Sequence, residues 1–225
     1  MNRTYFHFHK LGYRRNPFGA LTAEEWAAVA VLPSAAVPLL ASAGHWQILG
    51  PMGSGKTTCL LGLQAHFVDH GRNVAYEYLP EGQNWFETQT DDLDLFLLDE
   101  AQRLRRRERR RLMDMTRRGG FRLILSSHED LTGLFARWQL SLSTVSLTAQ
   151  ASPEHYQAVL AKRLNYFAVP GLARVSLGET AVHFLYDTFG QNLRAAEYFL
   201  YEVWQRQETA VEINGNQLAA LYQES

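Results

Sequence analysis

Residues 50–57 read G-P-M-G-S-G-K-T, a complete phosphate-binding loop of the G-x-x-x-x-G-K-T form. Before it, residues 46–49 (W-Q-I-L) make a short apolar strand; after it, residues 58–64 (T-C-L-L-G-L-Q) make a helical run. Gly50, Gly53 and Gly55 let the backbone curl so that successive N–H groups face phosphate oxygens, and the N-terminus of the following helix adds positive potential. Lys56 reaches the β and γ phosphates and the Thr57 hydroxyl ligates Mg²⁺, with Ser54 and Thr58 in the same cradle. A glycine-rich turn with an incidental lysine leaves Lys56-Thr57-Thr58 unexplained. The expected ligand is a nucleoside triphosphate with Mg²⁺.

Working outward, strand and helix patterns alternate. Residues 74–79 (V-A-Y-E-Y-L) have strand character, rich in aromatic and β-branched side chains. Residues 94–100 (D-L-F-L-L-D-E) are an apolar run ending in two acids, the pattern of a strand buried on both faces of a parallel sheet. Residues 101–118 read as one helix with a thin apolar stripe of Leu104, Leu112 and Met115. Residues 121–125 and 142–147 are further strands, with a helix at 131–138 between them. This alternation predicts an α/β fold: a three-layer, parallel, five-stranded sheet. From Ser152 the texture is helical, with helices expected at 152–167, 179–188 and 193–207, then a strand-like 211–213 and a terminal helix. The expected organisation is an N-terminal segment, 1–44, packing on the core; a nucleotide-binding core, 45–150; and a helical lid domain, 151–225. Residues 26–44 carry no charge, but Pro33 and Pro38 interrupt them. They read as a buried helical segment rather than a membrane span.

Composition sets outer limits. The 225 residues carry a net charge of −1 and are 46% hydrophobic, enough for a sizeable core. Charge is uneven: nine arginines between Arg103 and Arg118 face only Glu108 and Asp114, a local +7, so the remainder sums to −8. Cys59 is the single cysteine, which excludes an intrachain disulfide and CxxC zinc sites and fits a reduced, cytoplasmic setting. The N-terminus lacks the apolar core of a signal peptide.

Asp99-Glu100 supplies what chemistry opposite the phosphate loop needs. A carboxylate at the C-terminal end of a parallel strand holds Mg²⁺ through its water shell. A second carboxylate directly after it orients or deprotonates the attacking water, which separates a hydrolase from a mere binder. The plainer alternative is an acidic first turn of a helix.

At these motifs the chain resembles the AAA+ ATPases, from about residue 16 to residue 206. The resemblance implies a polar sensor at the tip of the strand after the acids, where Ser127 and His128 stand; the family usually carries asparagine, threonine or serine there, so His128 is a departure, and either residue is equally an ordinary strand exit. It implies an arginine finger just before the fifth strand, where Arg137 stands, acting on ATP held by a neighbouring subunit; a helix C-terminal arginine is the alternative. It implies a lid arginine in Gly190-Gln191-Asn192-Leu193-Arg194, so that Arg194 touches the γ-phosphate, although Asn192 also reads as a helix cap. Only 13 residues, 80–92, separate the second and third strands, too few for a full helix plus a pore loop. The layout looks more like the compact branch of DnaA-type initiators and transposon- or secretion-linked ATPases, whose Asn-Pro-Phe start matches Asn16-Pro17-Phe18.

Three functions follow as expectations. The first is an ATP hydrolase that forms a homo-oligomer with ATP and remodels or releases a partner. The others are a nucleotide-controlled scaffold with little turnover and a small-molecule kinase. No N-K-x-D guanine motif and no L-S-G-G-Q stretch occurs, against a GTPase and a transporter ATPase. Arg103, Arg105, Arg106, Arg107, Arg109, Arg110 and Arg111 form a candidate surface for nucleic-acid phosphates, the alternatives being a solvated face or an acidic partner surface.

Overall fold

Two short helices begin the chain in the computed structural model, which describes residues 3–148 and 152–224. They are α1 (Arg3–Lys10) and α2 (Ala23–Val29). The T-x-x-E pattern at 22–25 closes as a capping box: the Thr22 hydroxyl accepts the Glu25 N–H at 3.2 Å, and the Glu25 carboxylate accepts the Thr22 N–H at 2.9 Å. The uncharged stretch 26–44 is not one helix. After α2 it makes a 3₁₀ turn at Ser34–Ala36 and a four-residue helix, α3 (Pro38–Ala41). Pro33 and Pro38 enforce the breaks, since each lacks an N–H for a continuing helix. Ala36 and Leu39 are nonetheless fully buried.

The α/β unit follows as β1 (His45–Leu49), α4 (Lys56–Asp69), β2 (Val74–Tyr78), β3 (Leu95–Asp99), α5 (Arg106–Arg118), β4 (Arg122–Ser127), α6 (Thr132–Arg137) and β5 (Leu142–Ser146). Its five strands pair in parallel in the order β2-β3-β4-β1-β5. Every residue of β3 is buried, and alternate side chains serve opposite layers. Phe96 and Leu98 join Leu112, Met113 and Phe135 on one side, while Leu95 and Leu97 join Cys59, Leu60 and Leu63 on the other. Burial pushes the Cys59 thiol up to about 12, which makes it an inert packing group.

One expected helix is divided. After β3, Glu100 takes a left-handed conformation (φ 63°), Ala101–Arg103 form a 3₁₀ turn, and α5 begins only at Arg106. Leu104 is buried in the break, and the Arg105 N–H donates to the Asn84 carbonyl at 3.0 Å. Burial of Leu104 and this backbone bond outweigh the helix propensity of residues 101–105.

The second unit is helical: α7 (Pro153–Phe167), α8 (Glu179–Phe189), α9 (Leu193–Arg206) and α10 (Gly215–Gln223), with a two-stranded parallel ribbon of β6 (Ser176–Leu177) and β7 (Glu212–Ile213). By contacts the chain divides into Met1–Val31 with Ala151–Ser225, and Leu32–Gln150, so the segment expected as 1–44 splits between the two. Phe8, Leu11, Tyr13 and Phe18 complete the helical core around Trp204, and the Phe18 and Trp204 rings meet edge-on at 4.9 Å. Asn16 fixes the Asn-Pro-Phe turn: its side chain accepts the Phe18 N–H and donates to the Tyr201 carbonyl, each at 3.0 Å. Arg163, 2% exposed, donates to the carbonyls of Pro17 and Gly19 and pairs with Glu197. Burial pushes Glu197 up and Arg163 down despite the pairing. No single described helix is long and apolar enough to cross a membrane.

Candidate active site

The loop between β1 and α4 has the backbone its glycines allow. Gly53 and Gly55 sit at φ 78° and 87°, where side-chain-bearing residues are strained. A Cβ on Gly50 would meet the Ser54 hydroxyl at 2.4 Å. The first turn of α4 holds no acidic residue, and Gly55 gives it no side-chain cap, which suits an anion at the helix N-terminus. The Ser54 hydroxyl, within the loop, is buried without a hydrogen-bond partner. Lys56 is 5% exposed, and its ammonium curls back to the carbonyls of Gly50 (2.9 Å) and Pro51 (3.0 Å). Thr57 and Thr58 are half-buried in the same helical turn. These features fit a triphosphate.

Parallel pairing brings the chemistry to one edge of the sheet. Leu49 lies opposite Ser127, Leu98 opposite Leu125, and Tyr78 opposite Asp99, so the strand ends carrying the loop, the acids and residues 127–128 are aligned. Asp99 is fully buried; one carboxylate oxygen accepts the Ser126 hydroxyl and the other accepts the Tyr76 hydroxyl at 3.0 Å. Burial, then the adjacent Asp99 charge, pushes the Tyr76 phenol up, which keeps it a donor. The Ser126 oxygen also accepts the Glu100 N–H at 3.0 Å, so one hydroxyl holds both acids in register.

The Glu100 carboxylate is held from three sides: by Gln102 Nε2 at 2.7 Å, His128 Nε2 at 3.3 Å and Arg103 Nη2 at 3.4 Å. His128 in turn has both ring nitrogens within 3.4 Å of Lys56 Nζ. Lys56, His128 and Glu100 therefore form a continuous polar line across the site. Ser127 turns away; its hydroxyl donates to the Glu129 carbonyl at 2.6 Å and accepts the Glu129 N–H at 2.9 Å, shaping the loop. Among the described residues no three His, Cys, Asp or Glu side chains cluster to hold a metal. The donor set of Thr57 and Asp99 suits Mg²⁺, which takes one or two protein oxygens plus phosphates and waters.

Arg137 lies elsewhere, exposed at the C-terminal end of α6, with no hydrogen bond or ion pair among the described residues. Arg194 belongs to the helical unit, exposed in the first turn of α9, where Asn192 caps the Ala195 N–H at 3.1 Å. Sequence reasoning passed over Tyr76, Ser126, Gln102 and Gln47. Fully buried Gln47 donates to Asp130, Thr132 and Thr144 and accepts the Leu131 N–H, pinning the loop that presents His128. The available signal is a polar residue inside an apolar strand run, which must find partners when buried.

The arginine-rich segment divides into two sets. Arg103 donates to the Leu79 carbonyl, Arg109 to those of Leu104 and Gln102, and Arg111 to that of Phe86 while stacking on its ring at 4.3 Å. Arg105 and Arg111 flank the buried Glu108 at 3.5 and 3.2 Å. Arg106, Arg107 and Arg110 are exposed and carry no carboxylate partner among the described residues.

No family model matches the chain, and no curated protein matches it in sequence. Solved structures do match in fold. Domain III of the replication initiation protein DnaA from Thermotoga maritima superposes with a TM-score of 0.57 at 15% identity, over 92% of this chain and 98% of that one. Orc1 from Aeropyrum pernix, solved with DNA, gives 0.55 at 17% identity over 89% and 69%. AMPPCP-bound DnaA from Aquifex aeolicus gives 0.56 at 17% identity over 84% and 62%. The fold of this chain is theirs, the AAA+ P-loop fold with a helical C-terminal region.

Proposed function

We propose that this AAA+-fold chain binds ATP with Mg²⁺, hydrolyses it, and works as an assembly of copies whose turnover remodels or releases a partner. The observation that carries this reading is the line from Lys56 through His128 to Glu100 beside buried Asp99. Lys56 leaves its carbonyl partners to neutralise the β and γ phosphates. Thr57 and Asp99 would hold the Mg²⁺, which would supply positive charge against the charge developing on the phosphates. Glu100 orients the attacking water and takes its proton. His128, touching both Lys56 and Glu100, is the group that senses the γ-phosphate; Ser127 shapes its loop. Arg137 supplies transition-state charge to a neighbouring subunit. For the partner we propose nucleic acid, since the Orc1 neighbour was solved with DNA and the T. maritima neighbour is a replication initiation protein.

A second reading, a nucleotide-controlled scaffold with little turnover, draws support from the three side chains that occupy Glu100. Sedimentation with Mg²⁺ and ATP or a non-hydrolysable analogue tests assembly. Both readings expect a species larger than the monomer that appears with nucleotide and is lost without it. A monomer at every nucleotide concentration would contradict both and leave a kinase or a lone switch.

A further inference from the structure

We infer that the outer face of α5 is a binding groove for the phosphate backbone of duplex nucleic acid, contacted by Arg106, Arg107, Arg110 and Arg118. The inference rests on the nucleic-acid reading of the partner and gives it a surface. Two adjacent i, i+4 rows run the length of the helix: Arg106, Arg110, Asp114 and Arg118 in one, Arg107, Arg111 and Met115 in the other. The cleft between them measures about 700 Å³. Leu112, Met113 and Thr116 bury the opposite face, so Arg106, Arg110, Asp114 and Arg118 face outward with Arg107, while Arg111 and Met115 form the inner margin of the cleft.

The charge on this face is compensated only in part. Arg111 is committed to Glu108 and the Phe86 carbonyl, and Asp114 is the single acid in the lining. Arg106, Arg107, Arg110 and Arg118 are exposed and have no carboxylate within salt-bridge distance among the described residues. Like charges at i, i+4, as at Arg106 and Arg110, disfavour an isolated helix; a polyanion lying along the face reverses the sign of that term. The chain as a whole has a net charge of −1, so the patch is a local feature and not the overflow of a basic protein.

Geometry favours a duplex. Thirteen helical residues span about 20 Å, alongside which one strand of a duplex presents about six phosphates at ~3.4 Å each. Arginine forks match phosphate oxygens in pairs. The lining contains no aromatic side chain, so the stacking platform that single strands use is missing.

The test is fluorescence anisotropy of a labelled 20-base-pair DNA duplex of arbitrary sequence with the full chain, from 50 to 200 mM salt, with and without a non-hydrolysable ATP analogue. Four phosphate contacts predict a slope of log K against log salt of about −3.6, or roughly a hundredfold loss of affinity across that range. Arg106→Ala/Arg110→Ala should make the slope shallower by about 2, Arg106→Lys/Arg110→Lys should keep it, and Arg206→Ala, on exposed helix elsewhere, should leave it unchanged. Equal thermal melts of the variants and wild type exclude misfolding as the cause. Duplex binding that ignores the double alanine substitution overturns the groove and leaves the nucleic-acid partner standing; no duplex binding in any nucleotide state overturns both. Tighter binding of a single strand contradicts the duplex assignment. Loss of self-association in the double variant, without duplex binding, assigns the groove to the acidic surface of a second copy.

Discussion

Glu100→Gln is expected to bind ATP–Mg²⁺ as wild type does while turning it over about 10²- to 10⁴-fold more slowly, the usual contribution of a positioned general base. The substitution keeps the shape of the side chain and removes only its charge and proton affinity. Glu100 stands in a left-handed conformation that costs a non-glycine residue on the order of 1 kcal/mol, directly after an acid buried in the sheet. Gln102, Arg103 and His128 restrain it in this state, and the amide retains a hydrogen-bonding partner in Gln102. Binding and turnover should therefore separate, since the proposed roles put binding on the glycine cradle and Lys56 and turnover on the carboxylate. Steady-state turnover by the variant equal to wild type removes Glu100 as the base and leaves the scaffold reading in front.

Arg137→Ala is expected to lose about 10³- to 10⁵-fold in turnover, the range for an arginine finger, with nucleotide binding by the same chain intact. Arg137 is exposed at the end of α6 and makes no ion pair among the described residues, so its removal costs the fold little. An arginine that acts between copies has a signature a structural residue lacks. Mixing Arg137→Ala with Lys56→Ala should partly restore hydrolysis, because mixed assemblies place an intact finger against an intact phosphate loop. Full activity of the single variant, or failure of every mixture to recover turnover, contradicts a role between subunits.

Much of the fold is legible in the sequence because its strands are short apolar runs with clear ends. The run at 94–100 becomes β3 because a strand covered on both faces needs continuous hydrophobicity, and the loop glycines mark where β1 turns into α4. Residues 101–118 mislead because Ala, Gln, Leu and Arg all favour helix, whereas the left-handed Glu100 and buried Leu104 are set by tertiary packing. The allegiance of the N-terminus to the helical unit rests on pairs such as Phe18 and Trp204, 186 positions apart. No local pattern announces such a contact. Ser127 and His128 are adjacent polar residues that the sequence alone leaves equivalent; they part because the Ser127 hydroxyl closes on Glu129 and the His128 ring faces Lys56. The arginine count likewise overstates the outward charge, since a side chain long enough to reach a phosphate is long enough to reach a nearby carbonyl.

Every role proposed for the site requires a triphosphate seated on Lys56 next to Asp99. Calorimetric titration of ATP–Mg²⁺ into the wild type and into Lys56→Ala measures this directly. One nucleotide per chain for the wild type, weakened when Mg²⁺ is chelated and lost in Lys56→Ala, is the predicted result. No ATP binding by the wild type, or equal binding by the two proteins, would contradict it.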